Sequence, residues 1–293
     1  MPRPFPIALI GQRFMGRAHS NAWSQVSKFF DLELQPVLHT VAARDREGLE
    51  PFARRWGWKN AYSDWRELAA QPVWLFDLDN TLHNASHAAF SGINGAMTEY
   101  IARELAMTPA EADALRRGYW LRYGATLLGL VRHHGVRAAH FLHHTHVLPG
   151  LEDAVHSHPH DVAALRALRG RKFIVTNAPR AYALRVLGAL GIARAFDGVI
   201  TIEDMRMFGD LRPKPDARML RRLAARLRVP ASRCVLVEDT LVHQKAARSV
   251  GMGTVWMQRW ARRAARAQPA PARHSLRPPY VDRRVTRLRE LLR

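Results

Sequence analysis

At 293 residues the chain can hold a sizeable core plus a small second unit, and its hydrophobic share of 47% is ordinary for a soluble globular protein. No apolar run approaches the ~20 residues of a membrane span, no signal-peptide core opens the sequence, and the lone Cys234 excludes an internal disulfide, so a cytoplasmic protein without membrane association is expected. The net charge of +20 invites a nucleic-acid partner, but 40 of the 45 basic residues are Arg and no base-reading or RNA-stacking motif accompanies them, so nucleic acid remains only a runner-up, accessory partner.

The chain opens with a βαβα pattern: a strand over Pro6 to Gly11, a helix over Arg17 to Phe30, a strand over Val37 to Ala42 and a helix over Glu47 to Trp56. Gly11-Gln-Arg-Phe-Met-Gly16 with Arg17-Ala-His-Ser-Asn-Ala-Trp23, continued by Ala42-Ala-Arg-Asp45, resembles the nicotinamide-dependent oxidoreductases that include glucose-fructose oxidoreductase and inositol dehydrogenases. Arg13 replaces the middle glycine that lets backbone approach a pyrophosphate, and the resemblance stops near Leu68, short of the crevice that a dinucleotide needs. Residues 1–71 are therefore expected to be a truncated oxidoreductase-like fragment, either a fusion or a misassigned start, with no cofactor site.

Next comes Val73-Trp-Leu-Phe-Asp77-Leu-Asp79-Asn-Thr81-Leu, four apolar residues without polar alternation followed by two carboxylates. That pattern fits a central strand of a parallel sheet, buried on both faces, with its acids at the carboxyl end where such sheets bind ligands. Residues 86 to 160 then carry helical signals. Phe90, Ile93, Met97, Tyr100, Ile101 and Leu105 form a stripe, and Thr108-Pro-Ala-Glu111 is a capping-box start. Nine histidines crowd residues 133–160; adjacent ones point to different faces of a helix and none has a fixed spacing to Cys or carboxylate, so they read as packed or solvated side chains and not as a metal site. His83 and His87 lie nearer the first motif, and neither is assigned a role.

Two further apolar runs follow: Phe173-Ile-Val-Thr176-Asn177, and Cys234-Val-Leu-Val-Glu238-Asp239-Thr240. Between them Arg212-Pro-Lys214-Pro215 presents one of only five lysines. The tail, residues 259–293, holds 11 Arg against Asp282 and Glu290; with Pro269, Pro271, Pro278 and Pro279 it is expected to be partly disordered, with a last strand over Tyr280 to Val285 and a helix over Val285 to Leu292.

The order acid pair, hydroxyl, lysine, acid pair resembles the haloacid dehalogenase superfamily of phosphotransferases over about residues 72–293. The resemblance implies a three-layer α/β fold, a parallel-sheet Rossmann-like core of residues 72–88 and 150–293, with a helical cap of residues 89–149 over the site. It implies a Mg²⁺-dependent hydrolysis of a phosphate monoester through an aspartyl-phosphate. Asp77 is then nucleophile and metal ligand, Asp79 the general acid and base with its backbone carbonyl on the metal, and Asp239 a ligand with Glu238 behind it or as an occasional ligand. Thr176 and Asn177 bind the phosphoryl group, and Lys214 supplies positive charge. Dehalogenases of this fold need no acid at the second aspartate, so Asp79 argues for phosphoryl chemistry. Asn80-Thr-Leu-His83-Asn-Ala-Ser86 and Tyr123-Gly-Ala-Thr-Leu-Leu-Gly129 resemble the pyrimidine 5'-nucleotidase branch, which implies a nucleoside monophosphate. Alternatives are another small phosphoester such as a sugar or pyridoxal phosphate, or a catalytically silent fusion acting as a basic binding protein.

Overall fold

A computed structural model describes residues 3–64, 71–156, 158–260 and 277–292. The chain divides into two compact units, residues 1–72 with 169–171, and residues 73–168 with 172–293.

In the first unit β1 (Arg3–Ile10), α1 (Phe14–Phe29), β2 (Leu34–Ala42), α2 (Arg46–Trp56) and β3 (Asn60–Tyr62) follow one another. The sheet order is β1-β2-β3, with both pairs parallel. Each of the first three elements begins about three residues earlier than the apolar pattern indicates. Pro4 and Pro6 lack an N–H to donate, and β1 tolerates them because it is an edge strand. Val41, Leu49, Phe52, Ala53 and Trp58 form the core. A Cβ on Gly16 would fall 2.3 Å from the Gly11 carbonyl oxygen, so only glycine permits this close turn into α1. The Gln12 amide donates to Asp45 Oδ2 at 2.8 Å, and Asp45 in turn caps α2 by accepting from the Gly48 N–H.

The second unit begins with β4 (Val73–Phe76). Helices α3 (Ala85–Ala88), α4 (Phe90–Glu104), α5 (Pro109–Tyr123), α6 (Thr126–His134) and α7 (Ala138–Thr145) come next, followed by α8 (Leu151–Ala154) and α9 (Pro159–Ala167). The chain returns through β5 (Arg171–Val175), α10 (Arg180–Ala189) and β6 (Gly198–Ile200). A short antiparallel hairpin, β7 (Arg206–Met207) and β8 (Asp210–Leu211), leads to α11 (Ala217–Arg226), β9 (Cys234–Glu238), α12 (Leu241–Ser249), β10 (Gly253–Met257) and β11 (Arg283–Val285).

The main sheet runs β11-β10-β9-β4-β5-β6. The pairs β11–β10, β10–β9, β9–β4 and β5–β6 are parallel. Alternate residues of a strand point to opposite faces, and here both faces are apolar. Phe76, Ile174 and Val237 enter one buried cluster, while Leu75, Val175 and Leu236 enter another. That double burial is why these strands read as unbroken apolar runs. Between β4 and its neighbours the strand order reverses: the chain moves to β5 on one side and later to β9 on the other. A crevice opens at such a switch point beyond the carboxyl ends of the strands.

The helical insertion has its own core of Tyr100, Ile101, Ala112, Leu127, Leu130, Phe141 and Leu142. The stripe expected on one helix is split in its use. Ile93 joins the sheet-side cluster, with Phe90 and Met97 against it, while Tyr100 and Ile101 join the insertion core, so α4 connects the two. The capping box at Thr108 is formed: its hydroxyl accepts from the Glu111 N–H and the Glu111 carboxylate accepts from the Thr108 N–H. Several insertion histidines pair with tyrosine hydroxyls, His133 with Tyr123 at 2.6 Å, His134 with Tyr119 at 2.8 Å and His140 with Tyr100 at 2.8 Å.

At the end of the chain the expected strand shortens to Arg283–Val285 and the expected helix is a 3-10 turn over Leu288–Leu292. Glu290 turns its carboxylate back to the N–H groups of Thr286 and Arg287, local bonds that compete with a regular helix. Of the tail expected to be partly disordered, residues 261–276 with Pro269 and Pro271 lie outside the described residues, while Pro278 and Pro279 lie within them.

Candidate active site

The three apolar strands β4, β5 and β9 end side by side, and each delivers its polar residues at the same edge of the sheet. The Asp77 N–H still donates to the Val237 carbonyl and the Thr176 N–H to that of Ile200, so both residues are fixed by the last rungs of the ladder.

Lys214 is the centre of a buried charge cluster. Its Nζ lies 2.7 Å from Asp77 Oδ1 and 2.7 Å from Glu238 Oε2. The other Asp77 oxygen accepts from the Thr81 hydroxyl at 3.1 Å. Glu238 Oε1 also accepts from the Thr240 N–H at 3.2 Å, and His243 Nδ1 lies 3.1 Å from Oε2, the oxygen that Lys214 engages. Lys214 is 1% exposed, the opposite of a solvated surface lysine. Burial alone would lower its pKa, but the Asp77 and Glu238 carboxylates outweigh it and hold the ammonium above its ordinary value. Burial would likewise raise Glu238, and Lys214 with His243 holds it below the usual carboxylate range.

One lysine does not neutralise three acids. Burial, and then the Glu238 charge, push Asp77 up to about 7 and Asp239 up to about 9. Ligand oxygens of Asp77, Glu238 and Asp239 all lie within 4.8 Å of one another and could hold a metal ion. An all-carboxylate donor set short of positive charge fits a hard divalent cation such as Mg²⁺, which prefers oxygen and uses one or two carboxylates beside water and phosphate. The Asp79 side chain stands outside this set.

Asp79 is held by a different set of groups. Its Oδ1 accepts from the Tyr182 hydroxyl at 2.7 Å and lies 2.9 Å from His83 Nε2. The turn that follows Asp79 is stabilised by Asn80, which adopts a left-handed φ of 55° and exchanges hydrogen bonds with Ser86 through both ends of its amide. His83 is fully buried, whereas His87 is exposed. Tyr182 and His83 were given no role from the sequence; His83 carried the weak cue of nearness to the motif, and Tyr182 carried none. His146 lies with its ring edge-on to Tyr182 at 5.8 Å, and burial pushes its pKa down to about 4.

Thr176 is buried and accepts the Ala178 N–H at 3.0 Å. The Asn177 side chain is turned to Lys214: its Nδ2 donates to the Lys214 carbonyl at 2.9 Å, and its Oδ1 accepts the Lys214 N–H at 3.0 Å. The structure therefore brings Asp77, Lys214, Glu238 and Asp239 together, places Thr176 and Asn177 at the adjoining strand end, and sets the Asp79 side chain apart.

The model of the haloacid dehalogenase-like hydrolases matches residues 73–251, and the chain belongs to this hydrolase family. Levoglucosan dehydrogenase of Pseudarthrobacter phenanthrenivorans is 31% identical over 111 residues, 37% of this chain and 28% of that protein. This likeness accords with the oxidoreductase-like N-terminal fragment. Phosphate metabolism protein 8 of Saccharomyces cerevisiae is 26% identical over 200 residues, 64% of this chain and 61% of that protein. The chain thus spans less than two thirds of either relative. Among solved structures, a phosphatase of the same superfamily from Thermococcus onnurineus shares the fold, with a TM-score of 0.50 and 21% identity over 75% of this chain and 96% of that one.

Proposed function

We propose that this hydrolase cleaves small phosphate monoesters through an aspartyl-phosphate intermediate, with Mg²⁺ as cofactor and a nucleoside monophosphate as substrate. The observation that carries the reading is the contrast between two aspartates two positions apart: Asp77 meets the Lys214 ammonium at 2.7 Å, while Asp79 meets only a phenol and an imidazole. Two carboxyl groups in different environments divide the roles of nucleophile and acid.

In this reading Asp77 attacks phosphorus and Asp79 protonates the leaving oxygen, then takes a proton from the hydrolytic water. Lys214 and the N–H groups after Thr176 hold the phosphoryl oxygens; Asn177 contributes through its backbone, its side chain being engaged with Lys214. Asp77, Glu238, Asp239 and the Asp79 carbonyl hold the cation. When bound, Mg²⁺ neutralises charge on the phosphoryl group. The name of the yeast relative, a phosphate metabolism protein, accords with this chemistry.

Residues 89–149 act as the cap that selects the leaving group over a core of 72–88 and 150–293, and residues 1–71 are an accessory fragment. The nucleotide preference rests on the motif phrases around Asn80 and Tyr123. Phosphate release from a panel of nucleotides and sugar phosphates, with and without Mg²⁺ and with Asp77→Asn as control, tests the reading. Mg²⁺-dependent release that is highest with pyrimidine monophosphates supports it in full, and a preference for sugar or pyridoxal phosphates replaces the substrate only. Silence across the panel favours the binding-protein alternative.

A further inference from the structure

Asp79 and Tyr182 are 103 positions apart, and α10 brings them together. Tyr182 is 1% exposed, on the face of α10 that also buries Ala183, Val186 and Leu187. A buried phenol needs a partner for its hydroxyl, and this one has a single acceptor, Asp79 Oδ1. His83 approaches the same oxygen from the loop after β4, and its Nδ1 is buried with no hydrogen-bond partner among the described residues. The imidazole is thus placed with Nε2 as its one engaged nitrogen. Both bonds fall on Oδ1. Oδ2 receives no hydrogen bond among the described residues.

We infer that Tyr182 and His83 are positioning residues for Asp79: two donors converging on Oδ1 fix the carboxyl plane and direct Oδ2 toward the leaving oxygen of the substrate. The inference rests on the phosphatase reading and deepens it. Two donors on Oδ1 match the electron distribution of a carboxyl whose acidic proton sits on Oδ2. When an Asp77 oxygen bonds to phosphorus, the bond from phosphorus to the leaving oxygen breaks. Its electron pair stays on that oxygen, which takes the Oδ2 proton. In the second half, water bonds to phosphorus and gives a proton to Oδ2, and Asp77 departs as a carboxylate, releasing phosphate. Both halves need Oδ2 free and aimed. The edge-on ring of His146 holds the Tyr182 ring in place.

A purely structural role lowers all activities alike. A positioning role distinguishes leaving groups, because an alkoxide needs the proton and a nitrophenolate leaves without it. The full chain carrying Tyr182→Phe, which removes one oxygen, is compared with wild type on the alkyl phosphates of the panel and on 4-nitrophenyl phosphate, by steady-state and rapid-mixing kinetics. The expected result is a fall in kcat of roughly tenfold or more on alkyl esters with KM changed less than about twofold, while the first turnover of the nitrophenyl ester slows by less than about threefold and appears as a burst before slow hydrolysis of the intermediate. His83→Leu should behave in the same way, and His83→Gln, which keeps an N–H donor, should recover most of the loss. That pair carries the test if the tyrosine variant does not fold by circular dichroism. Equal losses on both ester classes, or a change in KM alone, overturn the inference while leaving the phosphatase reading intact. A folded wild type inactive on every ester overturns both.

Discussion

The Glu238 carboxylate and the Lys214 ammonium meet at 2.7 Å with each side chain 1% exposed, and Asp77 shares the same nitrogen at the same distance. Removing one partner of a buried ion pair leaves the others uncompensated, at a cost of about 3–5 kcal/mol. Lys214→Met is therefore expected to lower the unfolding free energy in chelator by that order, measured by urea denaturation. Mg²⁺ should recover part of the loss, because the three acids then have another counter-charge. A variant as stable as wild type in chelator would mean that the cluster is neutralised by protons instead of by Lys214.

Asp77→Asn keeps the volume of the nucleophile and removes its charge. Turnover should vanish while thermal stability in chelator is kept or increased, since a buried acid crowded by Glu238 has been neutralised. Asp79→Asn should instead lose roughly 10²- to 10⁴-fold, the range of general acid-base assistance, with first-turnover cleavage of an activated aryl ester less affected. Comparable phosphate release by wild type and Asp77→Asn would sink the covalent mechanism.

The raised acids fix the sign of a pH effect. Asp77, at about 7, and Asp239, at about 9, stay protonated in the folded state over a range where the unfolded chain has already released those protons. Folding therefore binds protons there. Without metal, stability should fall as pH rises from about 4 through 9, by at most about 1.4 kcal/mol per pH unit for each group titrating. Cation binding requires the deprotonated ligands, so the Mg²⁺-induced rise in Tm should grow with pH over the same range. Differential scanning calorimetry with and without Mg²⁺ at pH 5, 7 and 9 checks both slopes; a pH-independent difference excludes these acids as the binding site.

His146 works in the other direction. Burial holds it neutral in the folded chain down to about 4, while the unfolded chain takes up its proton near pH 6.5. Its contribution to stability is complete above about 6.5 and is lost as pH falls through 4. His146→Phe should flatten that acid limb of the stability profile, and ring-proton titration by NMR should place the wild-type His146 well below the exposed histidines.

The division into two units motivates a shortened chain beginning at Gln71, which should retain Asp77-dependent phosphate release. Calorimetric titration of the full chain with NAD or NADP should give no specific heat, because the Arg13 loop lacks the middle glycine and the sheet of this unit has three strands among the described residues. Micromolar binding would restore a redox role to the N-terminal unit.

Strand positions were legible in the sequence where burial is two-sided: Val73 to Phe76, Phe173 to Val175 and Val235 to Val237 have no polar alternation because both faces meet apolar clusters. The capping box at Thr108 was equally legible, being complete within four residues. Lys214 stood out through the scarcity of lysine. Tyr182 could not be found in this way, since its partner is 103 residues distant and its neighbours show only an ordinary amphipathic helix. Nor could the depth of Lys214 burial, which depends on how the loop before α11 folds under the sheet edge. The chain-end boundaries differ for a simpler reason: local bonds from the Thr286 and Arg287 N–H groups to Glu290 compete with a regular helix.

The amide of Asn177 imitates a peptide group. By bonding both the N–H and the carbonyl of Lys214 it adds what amounts to one rung of ladder between two loops 37 residues apart, where no strand pairing exists. The strand end that carries Thr176 and the loop that carries Lys214 are consequently tied to each other through backbone atoms. An Asp at position 177 would present two acceptors where one donor and one acceptor are required, and the tie between the two loops would be lost.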